Sequence, residues 1–86
     1  MGYNRERAEM LMEDIEAWQP ERAKKTSIKK LEKFLDQMDE KQDEMLQTMI
    51  AKIPKNLPPE EYEQEVSWKR QEAQELIQEE ISQLYR

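Results

Sequence analysis

Carboxylates, lysines and hydroxyls are the side chains of this chain from which chemistry could be built, because its 86 residues include no cysteine and no histidine. Thiolate nucleophiles, disulfides, imidazole general bases and the usual zinc ligand sets are therefore absent together. Two acidic groups have a spacing that repays a test. Asp36, Asp39, Glu40, Asp43 and Glu44 form a run, but a calcium loop needs a glycine-containing turn with oxygens at alternate positions. The run falls inside a predicted helix, and the only glycine is Gly2, so it reads as a solvated helix face. Glu72, Glu75 and Glu79 recur at three- and four-residue steps and would share one face, as bundle carboxylates do. The histidines that complete di-iron sites of that kind are missing. A carboxylate pair for acid–base work also needs an enclosed cleft to push its two pKa values apart, which so small a core does not offer. The expectation is a non-enzymatic protein with no cofactor, metal or small-molecule substrate.

What remains is recognition. Arg22, Lys24, Lys25, Lys29, Lys30 and Lys33 form one basic segment that could hold phosphates, and they put cations at a helix start, where the dipole disfavours them. No nucleic-acid motif accompanies them, and Phe34 is the one aromatic nearby. Internal neutralisation by Glu13, Asp14, Glu16 and Glu79 is the expected explanation, with nucleic-acid contact a third-ranked reading. A net charge of −6 argues against a general nucleic-acid or anionic-membrane binder. DNA mimicry by Glu61, Glu65, Glu72, Glu75 and Glu79 is a minor option, since that charge is light for the role.

The elements that must position these groups are helices. From Ile28 to Ile53 the apolar residues recur at steps of three and four, which is helix period, and only Gln42 interrupts the stripe. At helical rise the segment would be about 39 Å long. Before it, Ala8, Leu11, Met12, Ile15 and Trp18 mark a helix over about 5–18, with Asn4 as N-cap and Met1 to Asn4 frayed. It stops before Pro20, and residues 19–27 read as a connector ending in a Thr26 or Ser27 cap. A long second helix covers about 27–53 and is halted by Pro54. A third covers about 59–85, starting at Pro58 or Pro59 with Glu60, Glu61 and Glu63 near its positive end. Tyr62, Val66, Ala73, Ile77, Ile81 and Leu84 form its buried face.

The fold class expected is all-α: a long, coiled-coil-like antiparallel hairpin of helices two and three, with a shorter first helix across half of it. Folding back about Asn56 pairs Leu46 with Val66, Leu35 with Ile77 and Leu31 with Ile81. It sets Gln42 opposite Arg70, as a polar layer that fixes register would. Trp18 should lie near Ile28 and Leu84, and Ala8 near Met38. The first helix cannot reach the hairpin bend, so Met45, Leu46, Met49, Ile50, Ile53, Tyr62 and Val66 should line an open apolar groove. Such patches mark binding or oligomerisation sites, and methionine suits surfaces that accept partner helices. Trp68, set among glutamates on the opposite face, is a second candidate, since tryptophan is enriched at binding hot spots.

Eighty-six residues make one domain, 1–86, near the size where a single core only just offsets chain entropy. No apolar stretch approaches the roughly 20 residues of a membrane span, and the N-terminus lacks a signal-peptide core, so a cytoplasmic location with no membrane partner is expected. The functional expectation is a small regulator or adaptor, such as an inhibitor of a larger bacterial or phage-targeted protein, by association with chains of this size and charge. The alternative is a homodimeric assembly protein that uses the same groove.

Overall fold

The computed structural model describes residues 3–86, so part of the frayed end expected at Met1 to Asn4 lies outside the described residues. All regular structure among them is helical: α1 (Tyr3–Trp18), α2 (Pro20–Lys24), α3 (Ile28–Ala51) and α4 (Pro59–Ser82). Where three helices were expected, there are four. The addition is α2, five residues within the expected connector. Gln19 adopts φ −138° and ψ 66°, which breaks α1, and Pro20 then sits in the first turn of α2, where its missing N–H goes unneeded. The helix stops at Lys24 because Ser27 begins another: its Oγ accepts from the Lys30 backbone N–H at 3.2 Å and caps α3.

Both long-range helix contacts are made to α3, by α1 on one side and α4 on the other. The molecule is elongated and thin, 52 × 27 × 16 Å. Ala8, Leu11 and Ile15 of α1, Leu31, Leu35 and Met38 of α3, and Ile77 and Ile81 of α4 make one buried cluster. These are the i, i+3, i+4 positions of each stripe, and each large side chain withdrawn from water contributes about 1.5–3 kcal/mol. The residues after α4 lie beside those before α3. Arg22 Nη1 donates to the Leu84 carbonyl at 2.8 Å and the Gln83 carbonyl at 3.3 Å, while Gln19 Nε2 donates to the Arg86 carbonyl at 3.0 Å. Lys41 Nζ pairs with Glu80 at 2.8 Å.

The helix ends differ from expectation in detail. Helix α3 ends at Ala51, and the Lys52 and Ile53 N–H groups bond the Met49 and Ile50 carbonyls at 3.1 and 3.0 Å, the tighter spacing by which a last turn satisfies orphan carbonyls. Helix α4 ends at Ser82, not near Tyr85, again through bonds of that short type. Its start is as read: Pro59 opens it, with Glu60 and Glu61 in the first turn. Asn4 is not a cap, since it lies within α1. It is buried, and its side chain is used between helices.

Candidate functional site

The border between covered and uncovered α3 is set by polar side chains. Asn4 Nδ2 donates to Asp36 and, at 3.2 Å, to Asp39. Arg7 Nη1 reaches both Asp39 oxygens at 3.0 Å and the Asn4 Oδ1 at 2.8 Å. Each contact ties the first described turns of α1 to the middle of α3, at Asp36 and Asp39. The buried residues of α1 share the core cluster only with Leu31, Leu35 and Met38 of α3. From Glu40 to Ala51, α3 has no counterpart of α1 among the described residues.

The expected groove residues divide accordingly. Met45, Leu46, Met49, Ile50, Tyr62 and Val66 are all half-buried, whereas Ile53 is 5% exposed and belongs to the packing of the bend itself. Ile53 therefore has little surface to offer a partner. The methionines are not enclosed within the single chain: Met45 touches the edge of the core cluster, and Met49 lies a turn beyond it. Leu46 and Ile50 follow Leu35 by eleven and fifteen residues, which at 100° per residue returns them to within about 60° of its heading. Asp39, which α1 contacts, falls between them on the same wheel. The stripe that α1 covers near Leu35 thus continues, half-buried, through Leu46 and Ile50.

Trp68 is 54% exposed but is not brought to this groove. It precedes Ile77, a buried centre of α4, by nine residues, a half-turn of the wheel. The polar layer of Gln42 and Arg70 does not form: Gln42 is half-buried, Arg70 is exposed, and no hydrogen bond joins them among the described residues. Nor are the lysines neutralised as expected. Glu79 pairs with Arg86 at 2.7 Å and Lys24 with its helix neighbour Glu21. Lys25, Lys29, Lys30 and Lys33 make no ion pair among the described residues. The intervening α2 changes which groups meet.

A second apolar corner was not found by period. Trp18 was expected under Ile28 and Leu84, yet it is 71% exposed, because Ala23 of α2 packs against that end of the core. With Gln19, Tyr85 and Arg86 it borders an open hollow of about 450 Å³. Met10 is 66% exposed and lines, with Leu11, Ile81 and Tyr85, a neighbouring hollow of about 220 Å³ between α1 and α4. The signal for Trp18 was its place directly before Gln19-Pro20, where the helix had to stop.

Among the described residues, no three carboxylates converge as a metal site, and no helix is long and apolar enough to cross a membrane. Compared with known proteins, the chain matches no family model, no curated protein and no solved structure at a significant level.

Proposed function

We propose that this protein is a small, non-enzymatic regulator or adaptor that binds a larger protein through the end of the molecule containing Met45, Leu46, Met49, Ile50, Tyr62 and Val66. One observation carries the reading. The four from α3 are half-buried along a stretch that the described part of α1 does not reach, Tyr62 and Val66 of α4 are half-buried too, and contiguous apolar surface of this kind on a small protein is characteristic of docking sites. The reading takes α3 and α4 as an antiparallel hairpin. Its support is the bonds from Arg22 to the residues after α4 and the shared cluster of Leu35 with Ile77; the pairing of Lys41 with Glu80 lies nine residues out of that register, which sets Lys41 opposite Gln71. A cysteine cross-link that forms between positions 35 and 77 but not between 35 and 62 is the expected result for that register.

Occlusion of a partner's active or assembly surface is the mode of action that suits so small a chain. The test is affinity capture from the native cell with the wild type and with Met49→Glu, which places a charge in the groove. A partner retained by the first and lost by the second, with circular dichroism unchanged, is expected. Equal recovery by both would remove the groove from the function. Light scattering distinguishes the homodimer: a concentration-independent dimer that Met49→Glu dissociates would replace this reading with an assembly role.

The unpaired Lys25, Lys29, Lys30 and Lys33 favour a second reading, contact with nucleic acid along residues 22–33. A salt-dependent gel shift abolished by charge reversal of these lysines would support it. The net charge of −6 weighs against it.

A further inference from the structure

The uncovered stripe has a length, a shape and a charge, and together they specify an occupant. This step rests on the preceding reading that the groove is a docking surface. The free length of α3 runs from Glu40 to Ala51, twelve residues or about 18 Å at helical rise. Its apolar positions lie on the heading that α1 uses further back, so the surface that fits Leu46 and Ile50 is another helix along the line of α1. A helix laid in a groove between two others buries one stripe at i, i+3 or i+4, and i+7.

Charge narrows the choice further. Between residues 40 and 66 the chain carries seven carboxylates against three lysines, and one of those lysines, Lys41, is already held by Glu80. A second copy docking by the same face would oppose this acidic surface to itself, because a two-fold contact presents the same patch on both sides. Like charges across an interface are costly, whereas a basic rim is complementary.

We infer that the occupant is an amphipathic helix of about three turns, apolar on one face and flanked by lysine or arginine, lying along α3 beyond Asp39. Asn4 and Arg7, bound to Asp36 and Asp39, mark the point on α3 beyond which no described helix lies on the side of α1.

The experiment uses the full chain carrying ¹³C-methyl methionine and two hydrocarbon-stapled helical peptides. Stapling is needed because isolated helices this short are marginal in water. The peptides share one apolar stripe and differ only in lysine or glutamate flanks. The lysine-flanked peptide should shift the Met45 and Met49 methyl signals and leave those of Met10 and Met12 on α1 in place. It should bind at least about ten-fold more tightly than the glutamate-flanked peptide, with the advantage shrinking as salt rises.

Leu46→Glu and, separately, Ile50→Glu should each abolish the shift while the helical circular dichroism is retained, and one folded variant suffices for the comparison. Equal affinity for the two peptides would overturn the inferred basic partner and leave the groove intact. Failure of both peptides to move Met45 and Met49 would overturn the inference and the groove with it. A shift of those two signals on raising protein concentration without peptide would identify a second copy as the occupant, and the inference would be wrong.

Discussion

The two halves of α3 share one apolar stripe but have different company. In the first half, Leu31, Leu35 and Met38 are buried by α1 and α4 together. In the second, Met45, Leu46, Met49 and Ile50 remain half-buried with α4 alone. The side chains are of one kind and the helix is continuous, so the difference comes from the number of neighbours. Two helices in contact shelter a narrow seam, and a stripe wider than that seam needs a third element. The proximal half has that element and becomes core; the distal half has no such element among the described residues and is half-buried.

Truncation should separate the halves most sharply. Leu35→Ala, at a site 2% exposed, should cost about 2–5 kcal/mol, a large part of the total for a chain this small. Leu46→Ala, half-buried and outside the core cluster, should cost about 1 kcal/mol, since part of its surface already meets water. Urea titration of both variants gives the comparison, and equal losses would mean that the distal half is packed as tightly as the proximal.

The boundary between the halves can be moved next. Asn4→Ala removes the buried amide that joins Asp36 and Asp39, and a loss of about 1–2 kcal/mol is expected, because its acceptors lose a partner but stay partly hydrated. Hydrogen exchange should quicken in α1 and around Met38 while leaving residues 45–51 unchanged. A change confined to the distal half would contradict the assignment of this contact as the border.

A smaller effect of opposite sign lies at the start of α3. Its first turn has no acidic residue, and Lys30 occupies the third helical position after the Ser27 cap. Lys30→Glu completes a capping box and removes a cation from the positive end of the dipole. Thermal melting should show a gain of about 0.5–1 kcal/mol. A loss on substitution would mean that Lys30 already has a stabilising role within the folded chain.

The smallest effect sharpens the electrostatic side of the comparison. Trp18 borders a hollow with Arg86, near the end of the chain's basic segment, while on the helical wheel Trp68 lies among Glu61, Glu65, Glu72 and Glu75. Both are well exposed. Iodide should therefore quench Trp18, observed alone in Trp68→Phe, more efficiently than Trp68 in Trp18→Phe, and added salt should narrow the gap. Equal quenching would show that the charge asymmetry does not reach the tryptophans.

Much of this architecture is legible in the residues. The stripe from Ile28 predicts α3 to within two residues of its observed end. Pro59 followed by Glu60 and Glu61 marks the start of α4, and Pro20 marks the stop of α1. Other features were not legible. The five-residue α2 hides in a connector because Pro20 reads equally as a breaker and as a first helical residue. Asn4 resembles a cap, and only the approach of Asp36 and Asp39 turns it into a bridge. Trp18 continues the α1 stripe by period, yet Ala23 takes the place it would have filled.

The order of residues by itself determined where helices form and which side of each is apolar, since both depend on neighbours within a turn or two along the chain. Tertiary structure alone decided which carboxylates the polar side chains of α1 meet, and that Lys25, Lys29, Lys30 and Lys33 make no ion pair among the described residues. Those outcomes depend on the relative placement of several helices packed together, and a shift of one turn in any of them would redistribute the contacts without altering a single local signal.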